Sequence, residues 1–120
     1  MILITQLAEE ISPQTLKELR DSGAEFILVD VREPWELEIC RIEGCINITL
    51  AQMTIQAPDL ELALNLALDR NAPVVLYCHH GVRSRNAVLI LQQKGFRNVA
   101  SLRGGIDAWS RQIDASVPVY

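Results

Sequence analysis

A chain of 120 residues has room for one core, so a single domain over residues 1–120 is expected, burying roughly two thirds of its unfolded surface. Hydrophobic residues at 49% and charged residues at 22% fit an ordinary globule, and a net charge of −4 argues against nucleic-acid or anionic-membrane binding. Three cysteines make no disulfide framework, there is no basic leader, and no apolar run nears the ~20 residues of a membrane span, so a cytoplasmic protein is expected.

Ser12-Pro13 reads as an N-cap followed by a proline at the first helical position, with Gly23 just past the helix end. Ile11 and Leu16 are spaced as a hydrophobic staple across that cap. Phe26 to Val31 is a nearly continuous apolar run, the pattern of a strand buried on both faces. Glu33-Pro34-Trp35 starts a short helix that fades near Ile39, and Ile46-Asn47-Ile48 reads as a strand.

Asp59 is placed to cap a helix whose apolar positions are Leu60, Leu64, Ala67 and Leu68. Asn71-Ala72-Pro73 turns the chain into a strand from Val74 to Tyr77. After Ser84 a helix should bury Ala87, Val88 and Leu91 and stop at Lys94-Gly95. Val99 to Leu102 is a further strand, and Gly104-Gly105 opens a last helix through Ile106 and Trp109. Trp35 and Trp109 read as packing anchors.

Strands alternating with helices predict a three-layer α/β/α fold around a mostly parallel, about five-stranded sheet. Ligands of such sheets sit beyond the carboxyl ends of the strands. Two runs end there in chemically suggestive residues: one in Asp30-Val31-Arg32, the other in Cys78. Both should border one crevice.

Cys78-His79-His80-Gly81-Val82-Arg83-Ser84 joins a strand to a helix. A free thiol with a pKa of about 8.5 is only ~3% thiolate at pH 7, and the thiolate is the nucleophile. A helix N-terminus, amides exposed by a turn around Gly81 and the Arg83 guanidinium all favour an anion at this position. The bland alternative is a small apolar residue ending a buried strand. The glycine and arginine in register behind Cys78 favour the reactive reading.

Three segments, Asp30–Glu36, Cys78–Ser84 and Gly104–Trp109, together resemble the rhodanese family in order and spacing, from about Ser12 to Trp109. The resemblance implies a sulfurtransferase acting by covalent ping-pong chemistry, with no metal and no organic cofactor. Cys78 would carry a persulfide, and His79, His80, Gly81, Val82 and Arg83 would form the loop around it, Arg83 helping to bind an anionic donor such as thiosulfate. Asp30 and Arg32 would support the crevice, and Gly104, Gly105 and Trp109 would serve the fold. The implied partners are thiosulfate or a protein persulfide as donor and a thiol or cyanide as acceptor. The chain departs from the family pattern at Arg41, Glu43 and Cys45.

Two alternatives accompany this reading. One is a non-catalytic sulfur carrier or partner-docking module. The other is a small phosphatase or arsenate reductase of the same fold, whose loop has one more residue between cysteine and arginine to fit a tetrahedral oxyanion. Only four residues separate Cys78 from Arg83, which favours sulfur. The adjacent pair His79 and His80 lacks the spacing of a chelating pair and is expected to point in different directions, contributing mainly backbone. Cys45 is expected to pack as a small apolar residue, and a resolving role for Cys40 or Cys45 stays open.

Overall fold

A computed structural model describes residue 4, residues 6–55 and residues 70–120. The predicted helix led by Asp59 lies outside the described residues. In chain order the elements are β1 (Glu10–Ile11), α1 (Pro13–Asp21), β2 (Ile27–Asp30), α2 (Pro34–Ile39), β3 (Ile46–Asn47), α3 (Leu50–Ile55), β4 (Val74–Tyr77), α4 (Val82–Gln93), β5 (Val99–Leu102) and α5 (Gly105–Gln112). Strand β1 and helix α3 were not predicted: the first is only two residues long, whereas the second carries a readable signal that was missed, a capping box in which the Gln52 amide donates to the Thr49 hydroxyl at 3.2 Å and the Thr49 amide to Gln52 Oε1 at 2.8 Å.

The strands form one sheet in the order β1-β5-β4-β2-β3, with every pairing parallel. Two apolar clusters flank it, as a parallel sheet requires. On one face Val29, Val74, Leu76 and Val99 pack with Met53 of α3 and Ala87, Val88 and Leu91 of α4. On the other, Leu28, Val75, Tyr77, Ala100 and Leu102 pack with Leu16 of α1 and Ile106 and Trp109 of α5. The fold is therefore three-layered α/β/α, and each fully buried aliphatic side chain contributes about 1.5–3 kcal/mol by its removal from water.

Ser12 caps α1 as the sequence predicts, its hydroxyl accepting from the Thr15 amide at 3.1 Å. Helix α4 starts earlier than expected, at Val82 rather than after Ser84, because Gly81 takes a left-handed φ of +110° and turns the chain directly into the helix. The apolar periodicity shows only from Ala87, so it marks the packed part of the helix and not its start. Trp109 is buried, but Trp35 is 62% exposed and is no packing anchor. The six-residue helix α2 turns Glu36 inward instead.

The topology reverses between β2 and β4. From β2 the chain crosses to β3 on one side, and from β4 to β5 on the other. That switch point is where open α/β sheets hold ligands. Asp30 pairs in register with Tyr77 across it, so the segments after both residues emerge side by side.

Candidate functional site

Cys78 follows β4 directly and is 1% exposed. Its sulfur accepts hydrogen bonds from the Gly81 amide at 3.0 Å and from the Ser84 amide at 3.4 Å. The Ser84 hydroxyl stands 3.6 Å from the same atom, and it is held by the Ser101 hydroxyl at 2.6 Å. These amides belong to the turn and to the first turn of α4, whose positive dipole end faces the sulfur. The cradle is built to stabilise negative charge at Sγ or on an atom attached to it.

The other carbonyls of this turn are held from below. The Ile106 amide donates to the Cys78 carbonyl at 2.8 Å and the Asp107 amide to the His79 carbonyl at 3.1 Å. The start of α5 thus fixes the start of the cysteine loop, using amides that have no partner within their own helix.

Asp30 and Arg32 form a fully buried ion pair at the end of β2, with Arg32 Nη2 donating to Asp30 Oδ2 at 2.6 Å. Arg32 also donates to the Cys40 carbonyl at 2.7 Å and to the Tyr120 hydroxyl at 2.7 Å. Burial disfavours the Arg32 charge, but the hydrogen bonds to Asp30 and Tyr120 outweigh this and raise its pKa. The pair ties together the strand end, the segment after α2 and the tail at Tyr120. Its geometry is that of a scaffold.

Arg83 does not stand free at the mouth of the loop. Its guanidinium makes a two-pronged contact with Glu36, Nη1 to Oε1 at 2.6 Å and Nη2 to Oε2 at 3.0 Å. The Tyr120 hydroxyl donates to Glu36 Oε2 at 2.7 Å. The Arg83 hydrogen bonds hold the Glu36 carboxyl down at about 2, against the opposing effect of its burial. Burial, together with the bond to Glu36, pushes the Tyr120 phenol up to about 12.

The sign of the pH effect follows. Glu36 binds protons more weakly in the folded chain than in the unfolded one, so its contribution is complete above about 4.5 and is lost as pH falls towards about 2. Because Arg83 is partly exposed, solvent screening reduces the contribution to on the order of 2 kcal/mol. Urea unfolding at a series of pH values is expected to show this fall, and Glu36→Gln should lack that component.

His79 and His80 do not diverge as expected. Their rings stack at a centroid separation of 3.9 Å, and His79 stacks in turn on Tyr120 at 3.8 Å. His79 Nε2 donates to the Tyr120 main-chain oxygen at 2.7 Å. The turn conformation about Gly81, which adjacent positions on a strand or helix would not share, brings the rings to one side. Asp107 joins them, with the possible ligand atoms of the three residues within 4.8 Å of one another. Those donors are engaged within the chain, His79 by Tyr120 and Asp107 by Arg111.

Cys78 packs in the cluster on one face of the sheet, whereas Cys40 and Cys45 belong to the cluster on the other. Burial pushes the Cys45 thiol up. All three thiols are free in the structure. Sequence reasoning missed Glu36, Ser84 and Tyr120 as site residues. Ser84 had a readable signal, since the third residue of a helix offers its amide to an anion at the N-terminus. Glu36 reads as an ordinary capping residue, accepting from the Glu33 amide at 3.1 Å. Nothing local marks Tyr120.

The profile of the family described as "Rhodanese-like domain" matches residues 12–112. The chain is 34% identical over 111 residues to the thiosulfate sulfurtransferase GlpE of Haemophilus influenzae, covering 92% of this chain and 93% of that one. It is 37% identical over 110 residues to the adenylyltransferase and sulfurtransferase MOCS3-2 of Zea mays, covering 92% of this chain but spanning only 23% of the maize protein. Human single-domain sulfurtransferase TSTD1 superposes with a TM-score of 0.75 at 20% identity, over 88% of this chain and 98% of that one, which shows a shared fold.

Proposed function

This chain belongs to the rhodanese-like domain family, and from that premise we propose that it is a sulfurtransferase working through a persulfide on Cys78. The observation that carries the reading is the sulfur of Cys78 seated between the Gly81 and Ser84 amides at the start of α4. In the first half-reaction the Cys78 thiolate attacks the outer sulfur of a donor. The S–Sγ bond forms while the donor's own sulfur–sulfur bond breaks, its electron pair leaving on sulfite (from thiosulfate) or on a thiolate (from a persulfide). In the second, a thiol or cyanide takes the outer sulfur and the electron pair of the broken bond returns to Cys78.

The amides that hold Sγ would hold the terminal sulfur of the persulfide as it gains charge. Four residues between Cys78 and Arg83 make a loop of six, which supports sulfur as cargo over a tetrahedral phosphate or arsenate. Asp30 and Arg32 serve as supports, and no step requires a metal or organic cofactor. The described residues contain no helix long and apolar enough to cross a membrane, and a cytoplasmic setting would keep Cys78 reduced.

Intact-mass analysis after incubation with thiosulfate or with cysteine persulfide tests the reading. A gain of about 32 Da, one sulfur atom, that cyanide removes as thiocyanate is the expected result of covalent transfer. No gain from either donor would overturn it.

A further inference from the structure

Two guanidinium groups, one just after β2 and one at the start of α4, are each matched by a carboxylate. Arg32 is held by Asp30, and Arg83 by Glu36. Arg83 immediately precedes Ser84, whose amide meets the Cys78 sulfur at 3.4 Å, so it is a cation in the path of an anionic donor. Yet both its terminal nitrogens face Glu36 oxygens. Glu36 is 4% exposed, and the Tyr120 hydroxyl holds its second oxygen from another side. The carboxylate therefore has little freedom to swing away.

We infer that Glu36 is a specificity-determining residue, which by neutralising Arg83 suits the Cys78 loop to organic persulfides of low charge and disfavours the thiosulfate dianion. The inference rests on the sulfurtransferase reading above. Attack of the thiolate on thiosulfate gathers three negative charges at the loop: thiolate plus dianion give a persulfide anion and sulfite dianion. Attack on a neutral persulfide gathers one: thiolate plus RS–SH give Cys78–S–SH and RS⁻. Only the first reaction depends strongly on a free cation nearby.

The test compares donors in the same preparation, so that any loss of folded protein cancels. For the native chain and Glu36→Gln, kcat/KM for charging Cys78 is measured with thiosulfate and with cysteine persulfide. Glutamine keeps an acceptor for Arg83 and removes only the charge. The thiosulfate-to-persulfide ratio is expected to rise by about tenfold or more, and to fall back when Arg83→Gln is added. In the native chain, added salt should leave thiosulfate charging unchanged or faster, because the Arg83 charge is already matched by Glu36.

A ratio that stays within about twofold in Glu36→Gln, or native thiosulfate charging that slows with salt, would overturn the inference while leaving the persulfide mechanism standing. Failure of every donor to charge Cys78 would remove both. A neutral peptide carrying a cysteine persulfide, run beside free cysteine persulfide, distinguishes a protein-borne donor from a small thiol. Faster charging by either one than by thiosulfate supports the charge rule, and slower charging by both counts against it.

Discussion

Cys78→Ser is expected to abolish sulfur transfer, lowering kcat/KM by at least about a thousandfold, and to remove the mass gain seen with any sulfane donor. The serine hydroxyl can still accept from the Gly81 amide that now bonds Sγ, so the loop should keep its shape and the chain its stability within about 1 kcal/mol. The loss would then be chemical, because a hydroxyl is scarcely ionised at neutral pH and forms no persulfide. Steady-state rates, intact mass and a urea melt of the same protein check all three parts. Full transfer activity in Cys78→Ser would place the nucleophile elsewhere, and biological activity surviving without transfer would favour a docking module.

Gly105→Ala is expected to damage the site from behind, without touching any reacting group. Gly105 has a φ of +63°, and a methyl group there would lie 2.4 Å from the His79 carbonyl oxygen and 2.5 Å from that of Cys78. Both are backbone atoms and cannot rotate away. Moving α5 back would break the bonds from the Ile106 and Asp107 amides that hold these same carbonyls. A loss of about 3 kcal/mol or more is expected, with charging of Cys78 falling even in the protein that remains folded.

Gly23→Ala is the comparison. Gly23 has a similar φ of +74° but nothing within 4 Å of the added methyl. It should cost only the ~1 kcal/mol of a left-handed alanine and leave charging unaffected. Denaturation midpoints and persulfide yields of the two variants separate backbone strain from the collision with the loop.

Much of the architecture was legible because it rests on local patterns. The apolar runs at Val74–Tyr77 and Val99–Leu102 are the observed strands to the residue, since parallel strands buried on both faces leave no polar alternation. The cap at Ser12 was readable from two residues. Strand β1 was not, because a two-residue edge strand carries no periodicity and exists only through its pairing with β5. Trp35 misled because size suggests burial, while the single turn of α2 decides which of its residues faces in.

The cysteine loop was legible as chemistry. A strand, a thiol, a glycine and a helix in that order predict a sulfur facing amides, and the amides of Gly81 and Ser84 do face it. Its electrostatics were not legible. The two histidines drew attention by being adjacent, yet what fixes His79 is Tyr120, far along the chain.

The sequence by itself determined the α/β/α fold class and the parallel sheet, and singled out Cys78 in its six-residue loop, because each is written in the periodicity or spacing of neighbouring residues. Only the tertiary structure decided the charge that a donor meets there. Arg83 counts as a free cation in sequence and as half of a neutral pair in space. Its partner Glu36 comes from the helix after β2, and Tyr120, which clamps that partner, lies 84 residues further along the chain. Pairwise electrostatics depend on separation in space and on shielding from water, and neither is encoded in the distance along the chain.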